Sequence, residues 1–466
     1  MEFIGRGKEQ KLIKDMLQDD QFESILIYGR RRIGKSSLIK KCMQDSTING
    51  IYYVCKQTTE MNNVESMSAL ISESMNLPKL AFSTMEELLE FQFKQAIHQK
   101  QILVLDEYTY LRDKVEGLDS ILQRLIDQYK DTSKLKLIIC GSYIDIMKSL
   151  ILVHNPLYGR FSRTIDVKQM DYYDSSKFYQ DFSDEDKVRL FSVFGGVPYY
   201  NKLIDSHKTV KENIIELIAS PDARLEMEVL MYLKSEISKL ANVNEVIEAM
   251  AMGYSKYSDI YEKSNVSSIP TLVDVLEKLI KMEVIKKEAP INDINNKKKS
   301  GYFISDNLSY FYYKYIFHYL SQMSVMDPDI FYDRYIKDDF ETQYVPKMFE
   351  SICKQYLIRC NKEGRITEPF EMIGKYYYDD PIHKKNGEFD IVTKDRLGYI
   401  FYECKYKNKV ITNQIVQEEI QQVKDTGLLC YRYGFFSKHG FDDDIDADIV
   451  KIELRKLFKE FDNTSI

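Results

Sequence analysis

Residues 29–36 read Gly29-Arg-Arg-Arg-Ile-Gly-Lys-Ser36, directly after the apolar run Ser24-Ile-Leu-Ile-Tyr28. The run predicts a buried strand, and the spacing of the two glycines predicts a tight turn from that strand into a helix. Gly29 and Gly34 free the backbone so that the N–H groups from Arg30, Arg31, Arg32 and Ile33 onward can point at phosphate oxygens. The helix opening at Lys35, Ser36 and Ser37 adds its positive end. Lys35 would then neutralise the β- and γ-phosphates of a nucleotide such as ATP, and the Ser36 hydroxyl would ligate Mg²⁺. Leu38, Ile39 and Cys42 share one helix face and anchor it to a sheet. The three arginines have two readings: a solvated basic turn, or extra contacts to phosphate or to a partner subunit.

A chain of 466 residues is long enough for two to four domains, each with its own core. Lys and Arg total 65 against 72 Asp and Glu, a net charge of -7, so any nucleic-acid contact must come from a local basic patch. The cysteines at 42, 55, 140, 353, 360, 404 and 430 form no C-x-x-C pair and read as buried, reduced thiols of a cytoplasmic protein. The first residues do not resemble a signal peptide, and no apolar stretch reaches membrane-spanning length.

A nucleotide site needs acidic groups for its metal, and Gln101-Ile-Leu-Val-Leu-Asp106-Glu107 supplies them. Its apolar residues predict a buried parallel strand with two carboxylates at the carboxyl end. Asp106 would hold Mg²⁺ through water, and Glu107 would orient and deprotonate the attacking water. A third strand, Lys136-Leu-Ile-Ile-Cys140, ends in Gly141-Ser142, where Ser142 either touches the γ-phosphate or caps a helix. Helical stretches over 62–77, 85–99 and 117–130 separate these strands. The alternation predicts an α/β domain with a parallel sheet flanked by helices and ligands at the strands' carboxyl ends.

These segments, with Phe3-Ile-Gly-Arg-Gly-Lys-Glu9, Pro156-Leu-Tyr-Gly-Arg160 and Gly195-Gly-Val-Pro198, recur in an order that resembles the archaeal-type ATPase family within the AAA+/STAND group of P-loop NTPases. The resemblance covers roughly the first two hundred residues. It implies that Ile4, Gly5 and Arg6 lie near the adenine. It also implies that Gly196-Val-Pro198 closes over the nucleotide from a small helical subdomain, and that Arg160 senses the γ-phosphate in cis or across a subunit contact. A salt bridge on a loop is the alternative reading of Arg160.

Beyond Pro221, residues 244–252, 255–263 and 268–282 predict three helices, with Ser255 capping the second, Ser268 the third and Pro270 in its first turn. Two strands follow, Val284-Ile-Lys-Lys287 and Gly301-Tyr-Phe-Ile304, around a polar loop holding Lys297, Lys298 and Lys299. This is the order of a winged helix-turn-helix. Wing lysines can meet phosphates, but the third helix carries no arginine for guanine, which favours a packing or regulatory role. The aromatic stretch Ile304–Phe317 reads as core.

Near the C-terminus, Gly387-Glu-Phe-Asp390-Ile-Val-Thr393 and Tyr399-Ile-Phe-Tyr-Glu403-Cys-Lys405-Tyr406 predict a hairpin. If it is symmetric about Arg396 and Leu397, Asp390 faces Glu403 and Glu388 faces Lys405. Facing carboxylates repel unless a cation sits between them. This constellation resembles the core of the PD-(D/E)XK nuclease superfamily, and the domain-of-unknown-function 234 group often fused to archaeal-type ATPases. Phe389 stands where the first motif usually has proline. The resemblance implies that Asp390 and Glu403 ligate Mg²⁺ or Mn²⁺, with Glu350 as a further ligand and Gln422 a weaker one. Lys405 would orient water or stabilise the transition state. An exposed hairpin with one salt bridge, and a nuclease fold without activity, are the competing readings.

The sequence thus predicts three parts: a P-loop ATPase domain with a helical lid over 1–205, a helical linker and winged helix-turn-helix over 206–320, and an α/β restriction-endonuclease-like domain over 321–466. The expected function is an ATP-hydrolysing switch coupled to a nuclease acting on DNA or RNA. The competitors are a regulatory ATPase whose last domain only binds nucleic acid or protein, and a DNA-binding regulator. A homo-oligomer is compatible with either, and no membrane partner is expected.

Overall fold

The computed structural model describes residues 3–237, 240–296, 298–380 and 385–460. The chain divides into two compact units, Met1–Gln169 with Val197–Tyr199, and Met170–Gly196 with Tyr200–Ile466.

The first unit is built on five parallel strands: β1 (Glu23–Tyr28), β2 (Gly50–Val54), β3 (Gln101–Asp106), β4 (Leu135–Gly141) and β5 (Arg163–Asp166), in the order β2-β3-β4-β1-β5. Every residue of β3 and β4 is buried, as expected of strands covered by helices on both faces. The helices Glu60–Ser74, Met85–His98 and Leu118–Tyr129 cover one of these faces, through Val64, Met67, Leu88, Phe93, Leu122 and Leu125. Because β4 lies between β1 and β3, the segments that follow these three strands share one end of the sheet. This end is where ligands bind in open α/β sheets.

In the second unit, helices Leu240–Ala251, Tyr257–Lys263 and Ile269–Lys281 precede an antiparallel hairpin of β6 (Ile285–Glu288) and β7 (Gly301–Ile304). The Ser268 side chain caps its helix by accepting from Thr271 N, with Pro270 in the first turn. Ser255 does not cap the helix before it. Its carbonyl accepts from Tyr302 N at 2.8 Å, and Lys256 takes the cap position without a side-chain bond. The aromatic helix Asn307–Tyr315 is core, with Phe311, Tyr312 and Tyr313 buried.

A mixed sheet completes this unit: β8 (Met372–Asp380), β9 (Lys385–Lys394), β10 (Tyr399–Lys405), β11 (Cys430–Ser437) and β12 (Val450–Glu453), in the order β12-β11-β10-β9-β8. β8, β9 and β10 form an antiparallel meander, and β11 and β12 run parallel to β10. Helix Asn413–Asp425 makes the crossover from β10 to β11. Helix Val345–Lys362 packs on the meander.

The helical segment expected to belong with residues 1–205 groups with the second unit over Met170–Gly196, and only Val197–Tyr199 stays with the first. The physical reason is polar anchoring, both at the surface and in the interior. Arg189 forms a two-bond ion pair with Glu341 at 2.9 and 3.1 Å, the Tyr344 hydroxyl donates to Ser192 O at 3.0 Å, and Asn307 donates to Phe191 O at 2.6 Å.

Candidate functional site

The loop after β1 has the geometry its sequence demands. Gly29 has φ +155°, and a Cβ there would come within 2.4 Å of the Val167 carbonyl, because the chain leaving β5 crosses directly over it. Gly34 has φ +93° and precedes helix Lys35–Gln44. Lys35 is buried, and burial lowers the pKa of its amine. The ammonium folds back on the loop, donating to the carbonyls of Gly29 at 2.8 Å and Arg30 at 2.9 Å. These are bonds that phosphate oxygens can replace.

The three strand ends meet around Lys35. Lys35 Nζ donates to Ser142 Oγ at 3.1 Å, and Ser142 Oγ donates to Glu107 Oε1 at 2.8 Å. Ser142 is not a helix cap, since the next helix, Ile144–Ser149, is preceded by Tyr143 and has no side-chain cap. Ser36 Oγ donates to Asp106 Oδ2 at 2.7 Å. Ser36 and Asp106 are therefore already paired on the helix side, which fits a hard cation bound by a hydroxyl and, through water, a carboxylate. Glu107 adopts φ 53°, a left-handed backbone that costs a non-glycine residue on the order of 1 kcal/mol. Its Oε2 is buried with no hydrogen-bond partner. A strained carboxylate with one free buried oxygen is suited to take a water molecule and its proton.

The flanking residues fall on both sides of the expectation. Arg6 is buried, and its Nη2 donates to Ile33 O at 3.2 Å, so the Ile4–Arg6 segment lies against the loop. Pro198 stands 3.8 Å from where a Gly34 Cβ would be, and Arg32 covers the Tyr199 ring at 4.3 Å. Arg31 donates to the Tyr143 hydroxyl at 2.9 Å, Arg30 is buried, and Ser37 is exposed. The structure does not bring Arg160 to the loop. Ser24 Oγ donates to the Arg160 carbonyl at 2.5 Å, at the start of β1 and so at the sheet edge remote from the loop. The Arg160 guanidinium pairs with Asp127 at 3.0 Å. Sensing in cis has no support from this placement, and the Asp127 pair is the loop salt bridge of the alternative reading.

A second group of charges lies on the C-terminal sheet. The β9–β10 ladder pairs Lys394 with Tyr399 and Ile391 with Tyr402. That is the register expected from a turn centred on Arg396 and Leu397. The Asp395 carboxylate closes this turn by accepting from Leu397 N at 2.8 Å and Gly398 N at 3.1 Å. The pairing stops one residue short of Asp390 and Glu403, where two carboxylates would face each other. Lys405 Nζ lies 2.8 Å from Glu403 and 2.6 Å from Glu419, and Lys375 of β8 lies 3.0 Å from Asp390 and also bonds Glu388.

Glu350, on helix Val345–Lys362, is pushed up to about 8 by burial and then by the charges of Asp390 and Glu403. Burial, partly offset by Lys405, also raises Glu403. All these donors are hard carboxylates, which suits Mg²⁺ or Mn²⁺. Among the described residues, however, no three His, Cys, Asp or Glu side chains gather tightly enough to hold a metal ion. The two lysines engage the carboxylates instead.

Lys375 and Glu419 carried no signal in the sequence. Lys375 belongs to a strand outside the hairpin motif, and Glu419 rather than Gln422 faces the site, since Gln422 is exposed. Glu350 gives a direct test. Its protonated form is favoured by folding, so its contribution to stability is full below the ordinary carboxyl pKa and is lost as the pH rises through about 8. We expect the melting temperature of Glu350→Gln to gain on the wild type steadily between pH 5 and pH 9 in thermal denaturation. A constant difference would show that Glu350 is not held protonated.

The β6–β7 hairpin is docked on this sheet. Ile291 N donates to Lys375 O at 2.8 Å, and the Asn292 side chain brackets Tyr377, donating to its carbonyl at 2.7 Å and accepting from its N–H at 3.1 Å. Ile291 is buried with Phe389, Val392 and Phe401. Lys299 covers the Tyr377 ring at 4.3 Å and pairs with Asp293 at 3.1 Å. Lys298 is exposed, and Lys297 lies outside the described residues. Ile291→Ala should therefore cost about 2–4 kcal/mol in chemical denaturation, as for a core residue. A loss under about 0.5 kcal/mol would mean a free wing.

Among the described residues, no helix is long and apolar enough to cross a membrane. Residues 3–204 match the family described as an ATPase domain predominantly from Archaea, and residues 312–422 match a family of archaeal and bacterial proteins of unknown function. An uncharacterized protein of Methanocaldococcus jannaschii is 27% identical over 410 residues, spanning 87% of this chain and 88% of its own. An uncharacterized ATP-binding protein of the same organism is 23% identical over 307 residues, spanning 53% of this chain and 81% of its own. The fold resembles a Walker-type ATPase of Pyrococcus abyssi, with a TM-score of 0.51 and 19% identity, covering 67% of this chain and 96% of that one. The match over residues 3–204 shows an ATP-binding and ATP-hydrolysing domain, and residues 312–422 are similar to the archaeal and bacterial family of unknown function.

Proposed function

We propose that the chain is an ATP-driven switch whose C-terminal sheet is a divalent-metal-dependent nuclease acting on DNA or RNA. The observation that carries this reading is the electrostatic convergence of Glu350, Asp390 and Glu403, with Glu350 pushed up to about 8 by burial and its two acidic neighbours. A buried acid that must keep its proton beside two other carboxylates is the mark of a site short of positive charge. Asp390, Glu403 and Glu350 would hold Mg²⁺ or Mn²⁺, which polarises the phosphodiester and acidifies a bound water. Lys405 would then leave Glu403 to face the phosphate. The test is cleavage of plasmid and single-stranded DNA or RNA with Mg²⁺ or Mn²⁺ against a chelator control. Cleavage that persists in the chelator would exclude a metal-dependent site.

At the ATP site, Asp106 and Ser36 would serve Mg²⁺, Glu107 would activate water, and Ser142 would read the γ-phosphate between Lys35 and Glu107. The backbone from Gly29 to Ser37 would wrap the phosphates, with Ile4 and Arg6 near the base and Pro198 over the loop. Arg160 would act on the nucleotide of a neighbouring copy in a homo-oligomer. The three helices and hairpin over 240–304 are in our reading a winged helix of STAND type that braces the nuclease-like sheet rather than reading DNA. The docking of Ile291 and Asn292 on β8 supports this. A cytoplasmic setting fits the reduced cysteines.

A second reading, a regulatory ATPase whose last domain binds nucleic acid or protein without cutting it, is favoured by one observation. Lys375 and Lys405 already neutralise the carboxylates that a metal would need.

A further inference from the structure

The ATP site draws one further side chain from a strand that no sequence motif marks. Tyr52 lies on β2, paired with Val104 of β3, and Val54 is the partner of Asp106. Two residues along a strand span about 6.6 Å, so a tyrosine ring lying along the sheet carries its hydroxyl to the carboxylate two positions on. The Tyr52 hydroxyl donates to Asp106 Oδ2, the same oxygen that accepts from Ser36. The other carboxylate oxygen accepts from the Glu107 amide at 3.0 Å. Lys40, one turn beyond Ser36 on the same helix, sets its ammonium 4.7 Å from the Tyr52 ring centre. Tyr52 is therefore held from both sides, by Lys40 on its ring and by Asp106 at its hydroxyl.

We infer that Tyr52 is a positioning residue that fixes the Asp106 carboxylate for the magnesium bound with ATP. Ser36 has a double duty, since the hydroxyl that bonds Asp106 is also the one that offers a lone pair to the metal. Tyr52 has no such conflict. It would keep Oδ2 in place if Ser36 turned from Asp106 to a bound Mg²⁺, so the carboxylate would not need to reorient. Partners of this outer kind typically change metal affinity by about 10-fold or more when removed.

The test uses the full chain, a fluorescent ATP analogue and a Mg²⁺ titration. Tyr52→Phe keeps the ring on Lys40 and removes only the donor. We expect its affinity for the analogue in EDTA to stay within about 2-fold of wild type, while the Mg²⁺ concentration at half-effect rises by about 10-fold. Tyr52→Leu, which loses ring and hydroxyl, should show at least the same Mg²⁺ shift. An unchanged Mg²⁺ midpoint in Tyr52→Phe would overturn the inference. So would an equal loss of affinity in EDTA, because the tyrosine would then be supporting the loop and not the metal.

Discussion

Glu107→Gln should bind ATP as the wild type does and hydrolyse it about 10²- to 10⁴-fold more slowly, the range lost when a positioned base is removed. Glutamine keeps the size of the side chain and can still bond Ser142 through its amide, so the chain of contacts from Lys35 through Ser142 survives. What disappears is the buried Oε2 that has no other partner and can accept a proton. Lys35→Ala should behave differently. It removes the ammonium that crosses from the loop carbonyls to the β- and γ-phosphates, so ATP binding and turnover should fall together. Nucleotide-binding titrations beside steady-state turnover separate the two. If Glu107→Gln turned over at the wild-type rate, another group would have to activate the water.

The second large effect belongs to the C-terminal sheet. Asp390→Ala should abolish metal-dependent cleavage, because it removes the carboxylate at the open end of the β9–β10 ladder and leaves Glu403 without its facing ligand. Lys405→Ala should lower cleavage on the order of 10²-fold or more, as when one donor to a developing oxyanion is lost. The two variants should part in their response to metal. Raising Mn²⁺ should recover some activity in Asp390→Ala, whose defect includes weaker binding, and none in Lys405→Ala. Equal rescue of both would mean that Lys405 acts only by holding Glu403 and Glu419 in place.

The ATP site was legible because its chemistry is written in consecutive residues at strand ends. The loop from Gly29 to Ser36, Asp106-Glu107 and Ser142 each follow an apolar run, and the insertion of β4 between β1 and β3 brings them together. The hairpin register was legible for the same local reason, since a short turn fixes the pairing of the strands it joins. What was not legible came from elements distant in sequence. Tyr52 reaches Asp106 across β2 and β3, and Lys375 reaches Asp390 from β8. Neither contact has a spacing rule.

Gln422 was misplaced by helical phase. The buried stripe of its helix runs through Val416, Ile420 and Val423. At 100° per residue, Glu419 lies about 70° from the centre of that stripe and Gln422 about 130°. Arg160 lies away from the loop of its own chain for a topological reason. It precedes β5, whose start aligns with the start of β1, while the loop follows the other end. Ser255 lost its capping role because the helix begins at Tyr257, which puts Lys256 at the cap.

Coupling of ATP hydrolysis to strand cleavage on one chain is tested by a single nucleotide-dependent cleavage assay. Plasmid and single-stranded substrates would be incubated with Mg²⁺ or Mn²⁺ and either ATP, ADP or no nucleotide, using the wild type, Glu107→Gln and Asp390→Ala. We predict metal-dependent cleavage whose rate differs between ATP and ADP, is locked at its ATP level in Glu107→Gln, and is absent in Asp390→Ala at the metal concentration that just saturates the wild type. No cleavage under any nucleotide condition, or cleavage by Asp390→Ala at that same metal concentration, would contradict this coupling.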